Sequence, residues 1–448
     1  MRSLLRSRRG SVAFATVIAL VPLIGVVALG GEAGSWYVTR QHAQNAADAA
    51  AYSGAVQELC LSNLPCAVTE TVDYRAKQAA AQNAFCNAGG SSYPGSQCGT
   101  SPTGISQTVV IASHTSWKGA AGTYVQATVS QQQPAYLARV LGLTTVNIGA
   151  TAVAKVQSLT APPCVLSLTG SISFQGSPNI NAPNCGMASN STAKDAIDFT
   201  GGGMTMNLGS LSTVGGCTGA ATFCNTALTY MPAPIPNPFS ALDGALTALC
   251  GASPTLPAKC GLAKCTPATA FTPYTAANPC TNDGFKTKGT DVLTLTPGVY
   301  FVSGKLTLAG GSSITGTGVT FIVLPGGEID TKGGGTLTLS GPTTAPSASS
   351  LPAALQSSAA SFQYMAMYYA SAVEAEFGGT SNINLTGNIY APNATVTFQG
   401  NPSMAVDGGQ CGQLIAASVE FNGNATFDTT GCPAATKLTS SQYVQLVQ

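Results

Sequence analysis

The sequence predicts a mostly β protein with an α+β N-terminal part: one transmembrane helix, a small α+β domain, and a parallel β-helix (solenoid) as C-terminal domain. Three observations predict this fold class: an uncharged apolar run at residues 10–31, helix and strand patterns between residues 60 and 158, and a short glycine-terminated repeat after residue 160. Only 8% of the 448 residues are charged. Because phosphate neutralisation requires clustered basic residues, this composition excludes a nucleic-acid partner.

We place two domain boundaries on these patterns. Residues 1–35 are predicted to be a cytoplasmic, Arg-rich tip and transmembrane anchor, and residues 36–158 an exported α+β domain. Residues 159–448 are predicted to be a disulfide-stapled β-helix domain, with a Cys- and Pro-rich insertion at about 207–295.

The apolar run is long enough to cross a bilayer. Its 22 residues make a helix of about 33 Å, against a hydrocarbon core of about 30 Å. Arginines at positions 2, 6, 8 and 9 precede the run and Glu32 follows it. By the positive-inside rule, the N-terminus is cytoplasmic and everything after about residue 32 is exported. The residues predicted to anchor the chain are Val12, Phe14, Ile18, Leu20, Leu23, Val27, Trp36 and Tyr37.

A cleaved secretory signal is the alternative, with ALGGEAG at residues 28–34 as a weak cleavage site. The sequence that follows favours an anchor, because residues 35–59 lack proline and are rich in Ala and Gln, which favour a continuing helix. Trp36 and Tyr37 then lie where interfacial aromatic residues are found in membrane proteins. The alternative for these two residues is packing on the exported domain.

The segment from Arg8 to Ala55 resembles the N-terminal segment of TadG-like proteins of the Tad (tight adherence, Flp) pilus-assembly system. Its most specific part is QNAADAAAYSGA, with the motif residues Gln44, Asn45, Ala46, Ala47, Asp48, Ala49 and Ala50. The resemblance implies a TadE/TadG-like exported domain in a single-pass protein of the bacterial inner membrane, with its C-terminal bulk periplasmic or extracellular. It implies a role in pilus assembly, tethering or adherence, with other pilus-assembly or envelope proteins as partners.

The exported domain shows an alternation of helix and strand patterns. We expect a helix at residues 71–85, strands at 105–113 and 122–130, a short helix at 135–142 and a last strand at 145–156. This order predicts a small α+β layer that packs on the extended N-terminal helix.

After residue 160 a five-residue unit recurs, in which two apolar residues alternate with others and a glycine ends the unit. Alternation followed by glycine is typical of a short strand that turns. Many such strands at irregular multiples of one period predict a parallel β-helix, with an antiparallel sandwich as the alternative. This region also resembles the β-helical tails attached to Tad-type N-terminal domains. The Ser-, Ala- and Pro-rich stretch at 345–362 predicts a mobile loop. The units lie at 172–176, 197–201, 306–310, 337–341, 383–387, 396–400 and 419–423.

Fourteen cysteines, all after residue 59, predict disulfides in an oxidising compartment. Spacing does not determine their connectivity. Zinc binding is the rival interpretation, but there is no Cys-x-x-Cys, and His42 and His114 are the chain's two histidines. We therefore expect no metal and no cofactor, and unpaired structural thiols are a third possibility. The candidate disulfide residues are Cys60, Cys66, Cys86, Cys98, Cys164, Cys185, Cys217, Cys224, Cys411 and Cys432.

Two carboxylate pairs raise the question of catalysis, since some β-helices are polysaccharide lyases or hydrolases. Glu374 with Glu376, and Glu328 with Asp330, each lie two apart on predicted strands, a spacing compatible with glycosidase chemistry. A solvated strand face explains both pairs equally well. We therefore expect no catalytic residues and a non-enzymatic protein, with a polysaccharide-acting enzyme as a lesser alternative.

The other alternative function is a surface-binding β-helix, such as an adhesin or an ice-binding-like module. Rows of threonine on alternate strand positions suggest it, namely Thr336 with Thr338 and Thr395 with Thr397. Surface glycans would then be additional partners.

Overall fold

The computed structural model describes two compact units. The described residues are 8–62, 70–88, 90, 92–99, 103–158, 161–219, 221–226, 228–267, 270–331, 333–379, 382–400, 403–405, 412–428 and 442–448. Unit 1 comprises Met1–Gln157 and Gln442–Gln448, and unit 2 comprises Ser158–Ser441. The last seven residues thus lie in unit 1, whereas the sequence placed them in the C-terminal domain. Unit 2 is an insertion between two strands of unit 1.

Unit 1 combines a long helix, a short helix and an antiparallel sheet. Its elements are α1 Arg8–Ser62, α2 Val72–Gln82, β1 Ser106–Trp117, β2 Ala120–Pro134, a 3-10 turn Ala138–Leu141, β3 Thr145–Ser158 and the C-terminal strand Gln442–Leu446. The sheet order is β1, β2, β3 and then the C-terminal strand. Thr71 precedes α2 as its N-cap: its hydroxyl accepts from the Tyr74 N–H at 3.1 Å and so satisfies a free helix donor.

The core of unit 1 is built from alanine. One stripe of α1, including Ala43, Ala47 and Ala50, is fully buried against the sheet and α2. Small side chains at helical spacing let the helix backbone approach the sheet closely. The approach is tight at Gly54, where a Cβ would come within 2.8 Å of Val125 Cγ1.

Between residues 71 and 158 the element order of unit 1 follows the sequence prediction with one difference. The short helix expected at 135–142 is a single 3-10 turn, Ala138–Leu141. It stops at Gly142, which has a φ of 88°, a left-handed conformation that glycine adopts without steric cost.

Unit 2 is mostly β. Its strands are β4 Pro163–Ser167, β5 Ile172–Gly176, β6 Asn179–Ser189, β7 Ile197–Phe199, β8 Thr205–Thr213, β9 Cys217–Gly219, β10 Leu228–Tyr230, β11 Ala263–Lys264, β12 Cys280–Asp283, β13 Val292–Leu295, β14 Gly298–Ser303, β15 Lys305–Thr307, β16 Ser313–Thr317, β17 Val319–Val323, β18 Glu328–Asp330, β19 Thr336–Ser340, β20 Met365–Tyr369, β21 Ala375–Gly379, β22 Asn382–Thr386, β23 Asn388–Gly400, β24 Ser403–Ala405, β25 Leu414–Gly423 and β26 Thr426–Asp428. Its helices are α3 Ala221–Thr226, α4 Ser240–Cys250 and α5 Ala353–Gln356, with 3-10 turns at Ala348–Ser350 and Ala359–Phe362.

The ladders between these strands are parallel throughout the described part of unit 2. Val299 pairs with Thr320, an interval of 21 residues, and Ile172 pairs with Ile197, an interval of 25. The antiparallel sandwich that the sequence left open is therefore wrong. All seven copies of the glycine-terminated unit overlap strands, and their alternation places every second side chain in a shared core.

The strands of unit 2 differ in whether one or both faces of the sheet are buried at their position. β4, β17 and β20 are buried at every position, because their outward side chains pack under α4, α5 and the segments around them. We call the ladder that contains these three strands the covered ladder. β13, β16, β19 and β22 form the open ladder, where β19 alternates buried and half-buried residues. Strands that are buried on both faces have continuous apolar sequences, whereas strands buried on one face alternate apolar and polar residues.

The order of strands in the stack is not their order in the chain. β25, near the C-terminal end of unit 2, pairs with β4 and β5 at its beginning. β8 and β10 extend the stack on one side, and β11 and β12 lie at the other end. The segment at 231–262, which contains α4, connects these two ends across the covered ladder.

The stretch at 345–362 is folded, so the expectation of a mobile loop is wrong. It forms α5 and two 3-10 turns, and Leu351, Leu355 and Phe362 are at most 1% exposed. Burial of these three large side chains stabilises a segment whose Ser, Ala and Pro content alone indicates a loop.

Candidate functional site

The first half of α1 carries a large apolar surface that no other described part of the chain covers. Ile18, Leu20, Leu23 and Val27 are 50–68% exposed, and the side chains of Val12 and Phe14 lie outside the described residues. Exposed apolar surface of this extent marks a membrane or protein contact. The helix is long and apolar enough to cross a membrane, and none of its most apolar stretch is buried.

The two aromatic residues after this surface have different environments. Trp36 is half-buried, whereas Tyr37 is 65% exposed and accepts a hydrogen bond from Gln41 Nε2 at 3.0 Å. Tyr37 therefore presents its ring to solvent, or to a membrane interface, at the end of the apolar surface.

The motif at residues 44–50 has a buried and an exposed side. Ala46, Ala47 and Ala50 are fully buried in the contact with the sheet, and Ala49 is half-buried. On the outer side, Gln44 Nε2 donates to Asp48 Oδ1 at 2.8 Å, a contact one helical turn apart that supports the helix. Asn45 is exposed. The motif therefore fits helix packing on its Ala side and leaves a polar strip free on the other.

Glu32 links α1 to the loop between β2 and β3. Its Oε1 accepts from the Tyr136 N–H at 2.7 Å, and its Oε2 accepts from the Leu137 and Ala138 N–H groups at 2.9 and 2.7 Å. These are the free donors at the start of the 3-10 turn, where a carboxylate binds favourably. Sequence reasoning identified Glu32 as the first charge after the apolar run but not this contact, which joins residues over a hundred positions apart.

Five disulfides lie among the described residues. Three join candidate cysteines: Cys86–Cys98, Cys164–Cys185 and Cys217–Cys224. Two more are present: Cys250–Cys260 lies within the connection that contains α4, and Cys265–Cys280 joins the residue after β11 to the first residue of β12. Cys60 also takes part in a disulfide. The other candidates, Cys66, Cys411 and Cys432, lie outside the described residues.

Glu328, Asp330 and Glu376 lie on strands, and Glu374 directly precedes β21. Lys305 Nζ bridges Glu328 at 3.0 Å and Asp330 at 2.9 Å across two adjacent strands. Glu374 Oε1 accepts from the Thr397 hydroxyl at 2.6 Å, and Thr397 is only 3% exposed. Thr395 meets Ser418 Oγ at 2.7 Å. Thr397 thus cannot contribute to an exposed threonine row.

A groove of about 520 Å³ lies between α4 and the covered ladder, partly lined by Asp243 and Tyr368. The Asp243 carboxylate accepts from Tyr368 Oη at 3.0 Å and from Tyr390 Oη at 2.6 Å. Burial raises the pKa of Asp243, and the two hydrogen bonds lower it in part. Burial, with the nearby carboxylate, also raises the pKa values of both tyrosines, so they stay protonated donors.

The Asp243 cluster joins α4 to the paired strands β20 and β23, and its three groups hydrogen-bond one another. Neither this groove nor the one formed by residues 249–261 includes a member of the two carboxylate pairs. Within the described residues, no group of three His, Cys, Asp or Glu is placed to hold a metal ion.

One long apolar helix that continues into an Ala-packed helical stripe fits a single-pass membrane protein. Residues 10–57 match the family model described as putative Flp pilus-assembly TadE/G-like. This confirms the resemblance to TadG-like proteins in the N-terminal segment and supports a pilus-related envelope protein. Residues 274–430 match a domain of unknown function (DUF7305). No curated protein and no solved structure matches the chain.

Proposed function

We propose that this protein is a non-enzymatic Tad/Flp pilus-assembly component that is anchored in the bacterial inner membrane by the first half of α1. Its N-terminus is cytoplasmic, and the part of unit 1 after the span is periplasmic or extracellular together with unit 2. The observation that carries the proposal is the junction within one helix of an uncovered apolar surface with the alanine stripe of the TadE/G-like segment. The apolar surface lies in the membrane, and the rest of unit 1 packs on the alanine stripe.

The charge and cysteine patterns support this orientation. Four arginines precede the apolar run, and Glu32 follows it, as the positive-inside rule requires for a cytoplasmic N-terminus. The described disulfides lie after the run, and such bonds persist in exported compartments. Pilus-assembly or envelope proteins would be bound through α1, and the chain would tether the pilus or support adherence.

The proposal is tested in a strain that lacks the chain. Wild-type protein should restore surface pili counted by electron microscopy, and the double variant Ile18→Lys/Leu23→Lys should not. A lysine at the middle of a span costs about 2.5–3.5 kcal/mol, so the variant is expected to be lost from the membrane fraction. The matched control is Tyr52→Lys, which changes an exposed residue of the same helix beyond the apolar surface.

Three results would contradict the proposal. Normal piliation of the strain that lacks the chain would remove the pilus role. A double variant that stays in the membrane would remove the anchor. Protection of unit 2 from protease added to spheroplasts would reverse the orientation.

We further infer that the ladders of unit 2 close into a parallel β-helix. Consecutive strands visit three ladders in a fixed cycle: β13, β14 and β15, then β16, β17 and β18, then β19 and β20. Each of the first five strands pairs with the strand three places later in the chain, as expected when one turn of a solenoid contributes three strands. An experimental structure in which these ladders do not enclose one core would contradict the inference.

A second candidate function is binding to an ordered surface through the open ladder. One observation favours it: Thr294, Thr315, Thr338 and Asn384 follow one another in register on neighbouring strands. Strands are about 4.8 Å apart, so these side chains form a regular polar column. We expect the full chain in detergent to adsorb to ice or to a crystalline polysaccharide, and Thr315→Val/Thr338→Val to reduce adsorption. Equal adsorption by wild type and variant would remove this candidate.

A further inference from the structure

We propose that the loop between β2 and β3, residues 135–144, forms a second membrane contact: it lies in the interfacial region of the bilayer beside the end of the α1 span. Tyr136, Leu137 and Leu143 contact lipid there. The inference rests on the proposed membrane anchor and adds to it a folded surface that faces the bilayer.

The three hydrogen bonds of Glu32 place the loop at this level. Glu32 is the first residue after the uncharged run, so in a helix that spans the bilayer it lies where the hydrocarbon ends. Its carboxylate holds three consecutive backbone N–H groups of the loop, those of Tyr136, Leu137 and Ala138, at 2.7–2.9 Å. The loop backbone therefore lies beside the membrane end of α1.

The dimensions of unit 1 lead to the same placement from a different contact. Gly54 of α1 meets Val125 of the sheet. From there, 22 helical residues back to Glu32 span about 33 Å. The 11 residues from Val125 to Tyr136 span about 36 Å when extended. Helix and strand thus reach the same level, and the loop is the end of the sheet nearest to the span.

The loop has the side chains that a membrane interface favours. Tyr136 is 75% exposed, Leu137 43% and Leu143 47%, although three large apolar groups on one short loop are costly in water. A tyrosine ring with its hydroxyl suits the headgroup level. Arg139, also exposed, is the loop's charged residue and can extend its guanidinium to lipid phosphates.

The test uses the full chain, reconstituted in phospholipid vesicles, with Trp36→Phe and Trp117→Phe to remove its two tryptophans. A single tryptophan is then introduced by Tyr136→Trp. We expect blue-shifted emission and quenching by lipids brominated close to the headgroup. The matched control is Lys118→Trp, in the turn between β1 and β2 at the opposite end of the sheet, which should show neither effect.

A third probe separates this inference from the anchor on which it rests. Leu23→Trp should be quenched by lipids brominated deep in their acyl chains. Absence of quenching at position 23 would contradict the anchor. Quenching at position 23 without quenching at position 136 would overturn the loop contact alone. A blue shift at position 136 without lipid quenching would indicate a contact with protein and would also overturn the loop contact.

Glu32→Ala tests the positioning. It removes the acceptor of all three hydrogen bonds, so quenching at position 136 should fall while quenching at position 23 stays unchanged. Glu32→Gln, which keeps one carbonyl acceptor, should retain more of the quenching. Unchanged quenching at position 136 in Glu32→Ala would overturn the role of Glu32 in placing the loop at the bilayer.

Discussion

Phe174 stacks on Phe421, with ring centroids 5.4 Å apart and ring planes 10° apart, although nearly the whole of unit 2 separates them in the chain. The contact belongs to a column that continues to Phe199 on one side and to Phe398 and Phe377 on the other. The column follows the parallel register, in which Phe421 pairs with both Phe398 and Phe174. It joins β5, near the start of unit 2, to β25, near its end.

Phe421→Ala is expected to destabilise unit 2 by about 3–5 kcal/mol, because it empties the centre of the column and leaves a cavity. Chemical denaturation of the full chain, followed by hydrogen exchange in strands β5 and β25, measures the loss. Gln175→Ala, at an exposed neighbour of Phe174, is the control and should change stability by less than about 0.5 kcal/mol. Equal effects of the two substitutions would mean that the phenylalanine column does not stabilise the contact between β5 and β25.

The Cys164–Cys185 disulfide should contribute more to stability than Cys217–Cys224. The first closes a loop with a sequence separation of 21 and the second one of 7, and a longer loop loses more entropy when it is closed in the unfolded chain. Both sulfurs of the first are also buried. We expect Cys164→Ala/Cys185→Ala to cost about 2–5 kcal/mol.

The comparison of these disulfides uses thermal unfolding of two double variants. The matched variant is Cys217→Ala/Cys224→Ala, which should lower the unfolding midpoint by a smaller amount. If the Cys217–Cys224 variant is the less stable of the two, loop closure and burial do not control the contribution of these bonds.

The Asp243 carboxyl should make unit 2 less stable as pH rises from acid. Burial raises its pKa in the folded state, and hydrogen bonds from Tyr390 and Tyr368 only partly offset this. The folded protein therefore holds the proton more tightly than the unfolded chain. The contribution is complete below the unfolded pKa of about 4, and it is lost as pH rises through the folded pKa.

Asp243→Asn should remove this part of the pH dependence. Unfolding midpoints measured at several pH values from about 3.5 upwards give the difference between wild type and variant, which should change with pH in the stated direction. Asp195→Asn, at an exposed loop position, is the control. A constant difference between wild type and Asp243→Asn across the series would contradict the expectation.

Ala50→Leu should loosen unit 1. The residue is fully buried between α1 and the sheet, so three extra carbon atoms force the helix away at a cost of about 1–3 kcal/mol. Hydrogen exchange in residues 43–59 of the full chain should accelerate. Tyr52→Leu, at an exposed site on the same helix, should leave exchange unchanged, and the same protection in both variants would refute the close-packing role of the alanine stripe.

Local patterns were sufficient to place most elements of unit 1 and seven strands of unit 2. The alternation in ISFQG and VEFNG predicts strands at 172–176 and 419–423. These two sequences lie in β5 and β25, respectively. The helix expected at 71–85 is α2, because a Thr cap and a run of alanines are adjacent in the sequence. Such signals depend on neighbouring residues alone.

Contacts between distant residues were not predictable in the same way. Phe174, Phe199 and Phe421 are each the third residue of a five-residue unit, so the sequence pattern does not reveal which of these strands pair with one another. The acceptors of the Tyr136 and Leu137 N–H groups lie on Glu32, and no local spacing indicates that. The stretch at 345–362 is rich in Ser, Ala and Pro, a composition that indicates a loop. Its fold depends on a few buried side chains, among them Leu355 and Phe362.

The stacking order has a consequence for export. A chain that is exported in sequence order from the end of the span onward delivers β4 and β5 early, but their partner β25 emerges only after more than two hundred further residues. Until then one edge of β4 and one edge of β5 are open templates for pairing with another chain. Unit 2 therefore cannot complete its sheet strand by strand as it emerges, and a translocation arrest before residue 414 would leave an adhesive intermediate at the membrane surface.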